Sequence, residues 1–196
     1  MEISVLLFND FETLDVFGPV EIFGRRNNHY SIKFYSMEGG QITNNHGVSV
    51  FTLPINQLLA HDVFLIPGGY GTRIEVDNLV LINKIKEIST LAKFVLTVCT
   101  GTALLAKTGL LDFKNATTNK RAFEWVVSTG KNVIWNKKAR WVVDGKFYTS
   151  SGVSAGMDMA LGFLSDLHGK DFARNIAFEI EFNWSEDSTL DSFAIG

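Results

Sequence analysis

The stretch that most limits what this chain can fold into is Phe94-Val-Leu-Thr-Val-Cys-Thr-Gly-Thr-Ala-Leu-Leu-Ala-Lys107, where an apolar run stops at Cys99 and an amphipathic segment follows. Val95, Leu96 and Val98 suit a strand buried in the middle of a parallel sheet, and Ala103 to Ala106 favour a helix packed back onto it. Cys99, the only cysteine, falls on the sharp turn between them. A side chain held at the carboxyl end of a strand, next to the unsatisfied N–H groups of the following helix, has the setting of a nucleophile elbow, and those groups favour a thiolate. Gly101 keeps the elbow uncrowded. A free cysteine is also an ordinary small core residue. Packing alone gives it no reason to sit at a glycine-marked strand end, where open α/β sheets bind ligands.

Around this centre the chain alternates strands and helices. Strands are expected at 3–8, 30–36 and 63–66, with a short strand pair between 41 and 52. Leu79, Ile82, Ile85, Ile88 and Leu91 mark a helical face within 77–91. A short extended piece at 116–119 leads to a helix over 121–128, and strands follow at 133–135, 140–143 and 147–150. A helix opens in Ser151-Gly-Val-Ser-Ala-Gly156 and runs to His168, and a last one covers 170–184. This order predicts an α/β fold: a doubly wound, mostly parallel sheet with helices on both faces, in one domain over 1–184. The polar tail 185–196 is expected to fray.

Two further segments carry candidate chemistry. Pro19 stands where a helix can begin without losing a needed N–H, which predicts a helix from Gly18 to Arg25 and leaves Asp15 in the loop before it. A carboxylate there reads equally as a helix cap, and Glu21 as a solvated helix residue. The strand at 63–66 ends in Pro67-Gly-Gly-Tyr-Gly71, where Gly68 and Gly69 let main-chain N–H groups approach a ligand, as an oxyanion hole requires, or simply make a tight turn.

The chain's 196 residues, 46% of them hydrophobic, suit a single core. A net charge of -3 gives no basic excess to neutralise phosphates, so nucleic-acid binding is not expected. The start reads as a strand rather than a signal peptide, and no apolar run approaches the roughly 18 residues of a membrane span. With one cysteine there is no internal disulfide, and a reducing cytoplasm is the expected location.

The Asp15 segment, the Pro-Gly-Gly turn and the elbow together resemble the ThiJ/PfpI superfamily, related to class I glutamine amidotransferases. The resemblance covers nearly the whole chain and is most specific at Leu14-Asp-Val-Phe-Gly-Pro19, Ile66-Pro-Gly-Gly69, Val98-Cys-Thr-Gly101 and 144–156. It implies a flavodoxin-like fold. Within the superfamily the pattern is similar to isonitrile hydratases and to the sensor domains of AraC-type regulators; protease-like members carry His where Thr100 stands. The resemblance implies that Cys99 is the nucleophile, Asp15 its acidic partner and Thr100 a neighbour that hydrogen-bonds at the site, with Gly69 and Thr100 presenting amides. The chain departs from the subgroup at Asn119, where His is usual, and at Lys120, where an aromatic is usual, both in the pocket wall.

The function expected is a cysteine-dependent hydration of an isonitrile to an N-substituted formamide, through a thioimidate, with no metal, nucleotide or other cofactor. Alternatives are an amidase, peptidase or glyoxalase-like activity, or a ligand or redox sensor, since a low-pKa thiolate is also oxidisable. His29, His46, His61 and His168 lie outside the motifs and are assigned no catalytic role. Only a short tail follows Trp184, which disfavours direct DNA binding. Family members commonly form homodimers, and four tryptophans with sixteen phenylalanines leave apolar surface for one; the expected partners are a small-molecule substrate and a second copy of the chain.

Overall fold

The computed structural model describes residues 1–59 and 62–194. His61 therefore lies outside the described residues. The branched runs become the centre of an eight-stranded sheet: β1 (Glu2–Leu6), β2 (Ser31–Ser36), β3 (Gly40–Thr43), β4 (Ser49–Pro54), β5 (Val63–Ile66), β6 (Phe94–Thr97), β9 (Trp141–Asp144) and β10 (Phe147–Ser150), in the order β3-β4-β2-β1-β5-β6-β10-β9. All pairs are parallel except those of the two edge strands, β3 with β4 and β9 with β10. Two short strands, β7 (Asn115–Ala116) and β8 (Ile134–Trp135), pair separately. Every residue of β1, β5 and β10 is buried, as strands covered on both faces require.

From β1 the chain winds outward to β2, then returns across the sheet to β5 and winds the other way to β6. Right-handed crossovers in opposite directions send the connecting helices to opposite faces. Accordingly α1 (Thr13–Gly24) packs with α6 (Ala155–His168), and α6 in turn with α7 (Lys170–Glu179). The other layer holds α2 (Thr72–Glu75), α3 (Leu79–Leu91), α4 (Gly101–Lys107) and α5 (Phe123–Thr129). This is a flavodoxin-like α/β fold. Its direction of winding reverses between β1 and β5, and the carboxyl ends of strands at such a point form a crevice suited to ligands. No described helix is long and apolar enough to cross a membrane.

Four expectations need correction. α1 begins at Thr13, not Gly18, so Asp15 lies inside its first turn and Pro19 is a helix-interior residue. Burial of Val16, Ile22 and Phe23, and the close seat of Gly18 on Met157, outweigh the one hydrogen bond that Pro19 removes. In α3 the three-residue spacing drifts about 60° per step from the helical repeat. Ile82, Ile85 and Ile88 are buried while Leu79 and Leu91, at the ends, are 67% and 58% exposed. The last helix stops at Glu179, where the chain turns through a left-handed Glu181 (φ 51°) and Phe182 N–H donates back to the Ala177 carbonyl at 2.9 Å.

Residues 185–194, the described part of the tail, do not fray. Arg140 N–H donates to the Ser188 carbonyl at 2.8 Å, Asp191 N–H to the Lys138 carbonyl at 2.7 Å, and Ser185 N–H to Asp158 Oδ1 at 2.8 Å. The Arg140 guanidinium lies between Asp158, at 2.6 Å, and Asp191, at 3.5 Å, with all three residues buried. Removing one partner of such a group strands an uncompensated charge, which costs about 3–5 kcal/mol. Asp158→Ala is therefore expected to lower unfolding free energy by about that amount in urea titration and to open the 185–194 segment to proteolysis; a loss below about 1 kcal/mol would place the tail's anchorage elsewhere.

Candidate active site

The elbow forms because three strands converge on it. Val98 N–H continues the β5 ladder to the Ile66 carbonyl at 3.0 Å, and Cys99 N–H donates to the Ser151 carbonyl, just beyond β10, at 3.1 Å. The Cys99 carbonyl accepts from the Thr118 hydroxyl at 2.7 Å. Fixed on both sides, Cys99 sits in the left-handed region (φ 57°), a conformation that costs a residue with a Cβ about 1–2 kcal/mol. Gly101 lets the turn close: a Cβ there would stand 2.6 Å from the Pro67 carbonyl oxygen. The thiol is left 6% exposed.

Asp15 approaches from α1. The loop before it is tied to the loop after β5, with Glu12 N–H on the Gly68 carbonyl (2.8 Å) and Gly71 N–H on the Asp10 carbonyl (3.2 Å). The Asp15 carboxyl is wholly buried. Oδ2 accepts from Gly68 N–H at 2.8 Å, and Oδ1 has no hydrogen-bond partner among the described residues. Gly68 must be glycine for this, because a Cβ would lie 2.8 Å from Oδ2 and 2.6 Å from the Thr100 amide nitrogen. Burial pushes the Asp15 carboxyl up to about 8; the Gly68 amide and the Cys99 thiol pull it down only partly, and the charge of Glu12 adds to the rise. Glu21 is exposed and pairs with Arg25, so Asp15 is the acid that meets the sulfur.

The expectation that backbone N–H groups favour a thiolate is outweighed. Burial, and then the Asp15 charge, push the Cys99 thiol above its ordinary value, although the Thr100 and Val153 amides and Asn119 all favour the charged form. Asn119 Nδ2 donates to Sγ at 3.2 Å, and its orientation follows from Oδ1, which accepts from Ala122 N–H at 2.9 Å. Two of the amides expected to face a ligand are engaged, Gly68 by Asp15 and Gly69 by Thr100 Oγ1 at 3.0 Å, and the Gly101 amide is likewise taken up by the Val98 carbonyl at 2.9 Å. The Thr100 hydroxyl thus pins the Gly69 loop. The amides of Thr100 and Val153 are the ones that act on the sulfur.

Cys99, Thr100 and Gly69 open together into a pocket of about 260 Å³, completed by Glu12, Tyr70, Arg73, Asn119, Arg121, Ala122 and Val153. Sequence reasoning missed Val153 because its contribution is a backbone amide in a left-handed turn (φ 46°). It missed Arg73 and Arg121 because they belong to a short helix and a loop without periodicity. Lys120 turns away from the sulfur and donates to Thr117 Oγ1 and the Ala139 carbonyl at 2.7 and 2.6 Å. His46 contacts Thr13 and His168 contacts Tyr30, and neither lines the pocket.

Isonitrile hydratase of Pseudomonas putida is 27% identical over 183 residues, 93% of this chain and 78% of that protein. A ThiJ/PfpI family protein from Pseudomonas syringae superposes with a TM-score of 0.83 at 24% identity, covering 93% of this chain and 75% of that one. An AraC family transcriptional regulator from Pseudomonas putida superposes with a TM-score of 0.75 at 15% identity, covering 91% and 98%. The model of the DJ-1/PfpI family matches residues 1–166, from the first strand into α6. The chain belongs to the DJ-1/PfpI family.

Proposed function

We propose that the chain is an isonitrile hydratase, converting R–N≡C and water to an N-substituted formamide, with Cys99 as nucleophile and Asp15 as the group that moves the proton. The observation that carries this reading is the buried Asp15 carboxyl against a buried thiol, its pKa pushed up to about 8. Hydration of an isonitrile delivers a nucleophile and a proton to the same carbon, so it needs both groups at one point and no charged leaving group.

The reactive form of the pair holds one proton. Sγ bonds to the terminal carbon while that proton passes to the same carbon, giving the thioimidate R–N=CH–S and leaving Asp15 ionised. The Asp15 carboxylate takes a proton from water as the hydroxyl adds to carbon, and passes it to nitrogen. The hydroxyl proton then returns to Asp15 as the C–S bond breaks and R–NH–CHO leaves, which restores the starting pair. Thr100 and Val153 amides and Asn119 Nδ2 stabilise the departing sulfur. Gly68 holds Asp15, Gly69 and Thr100 form the pocket floor, and Gly101 permits the turn. A redox-sensing role fits less well, because an oxidisable cysteine is exposed and low in pKa, while this one is enclosed and raised.

Formamide release from a simple alkyl isonitrile tests the reading: Cys99→Ala is expected to abolish it and Asp15→Asn to lower kcat at least about 100-fold. No turnover by the wild type with its thiol reduced would reject it. The pH profile has a definite sign. Below about 8 the pair carries two protons, so kcat/KM should climb through that pH as one is lost; a profile already flat from pH 6 would contradict the assignment of Asp15.

Stability should move the opposite way. The folded chain keeps the Asp15 proton up to about 8, whereas the unfolded chain releases it near its ordinary value of about 4. The native state therefore binds the extra proton across this window, and stability falls as pH rises through it. Thermal melts between pH 5 and 8 should show a decline that Asp15→Asn flattens; equal slopes in both proteins would count against a buried, neutral Asp15.

A further inference from the structure

The opening above Cys99 carries charge that this chemistry does not use. Arg73, in α2, and Arg121, in the loop before α5, line the Cys99 pocket and also the adjoining depression, so the two cations stand where one cavity runs into the other. Arg73 lies over the Trp125 and Tyr70 rings at 4.7 and 5.4 Å. At this rim Glu124 pairs with Lys137 at 3.7 Å, and among the described residues Arg73 and Arg121 form no ion pair. Glu12, the one carboxylate of the pocket lining among the described residues, acts on Asp15. The chain as a whole is acidic, with a net charge of -3, so two unpaired guanidinium groups at the entrance to its nucleophile are not a consequence of basic composition.

A neutral isonitrile offers those groups nothing. A carboxylate offers the planar, two-oxygen partner that guanidinium groups bind best, and the two cations draw anionic ligands toward the opening. The pocket, about 260 Å³, is at or below the lower end of the range for ligand sites, which limits the spacer to a short one. Ala122 and Val153 supply apolar contact along it.

We infer that the substrate is a small isonitrile whose substituent carries a carboxylate, held by Arg73 and Arg121 while its terminal carbon meets Cys99 Sγ. This inference rests on the hydratase reading, and its test is arranged so that the two can fail separately. The first arm alkylates Cys99 with iodoacetate and with its neutral isostere iodoacetamide. Both consume the same thiolate, so their rate ratio cancels its ionisation and reports the charge of the opening. Relative to a free model thiol the ratio should favour iodoacetate by about tenfold or more, shrink as salt is raised, and return toward the model value in the Arg73→Gln, Arg121→Gln double variant. A wild-type ratio equal to the model thiol's, or one that the double variant leaves unchanged, overturns the anion site. The second arm compares kcat/KM for an isocyano carboxylate with that for its methyl ester. A preference for the acid that the double variant removes supports the inference, and equal values or a preference for the ester overturn it. Iodoacetate selectivity without turnover of either isonitrile would keep the anion site and reject hydration, and with it an isonitrile as the substrate.

Discussion

Everything at this site follows from putting one carboxyl and one thiol together where water is excluded. In water either group ionises without regard to the other; in the crevice each charge must be held by what surrounds it, and two adjacent negative charges raise each other's cost. The surroundings provide one amide for Asp15, from Gly68, and two amides and a side-chain donor for Cys99. Against burial and the neighbouring charge these donors compensate only partly, so both groups are raised above their ordinary values. In the proposed reaction the pair would act as a single acid, and such an arrangement suits chemistry that delivers a nucleophile and a proton to one atom.

The fold brings this about by topology. Asp15 follows β1, Gly68 follows β5, Cys99 follows β6 and Val153 follows β10, so four parallel strands each contribute one part at their carboxyl ends. No two of these parts are close in sequence. The left-handed Cys99 would relax if any one of its ties were loose; it persists because its N–H and C=O are bound to separate segments, the stretch after β10 and the loop before α5. Burial of the thiol thus depends on the C-terminal third of the chain as much as on the elbow itself.

How much of this is legible in the sequence depends on whether the deciding interaction is local. The strands β5 and β6 and the elbow are, since branched residues, a turn and a glycine sit side by side in the chain. Asp15 can be singled out, but its place inside α1 cannot, because Pro19 signals a helix start and only the packing of Val16 and Ile22 overrides it. The tail reads as polar and loose, yet Asp191 is buried through an arginine 51 residues away. The direction of the thiol's pKa is hidden for the same reason. Helix N–H groups are visible in the pattern, whereas the extent of burial and the distance to another carboxyl are properties of the assembled site.

Asn119 shows how one residue in the wall shapes the chemistry. A histidine at that place would offer a second group that titrates near neutrality, and a proton leaving the thiol would have two destinations. An amide cannot ionise. Its Oδ1 is committed to the Ala122 N–H, which leaves Nδ2 as a donor to sulfur at every pH. It favours a thiolate without competing for the proton, so the proposed reaction leaves the transfer at the sulfur to Asp15. The two guanidinium groups at the rim follow the same logic from outside: as the proposed anion site they would attract and orient a carboxylate and, being always protonated, take no part in the transfer.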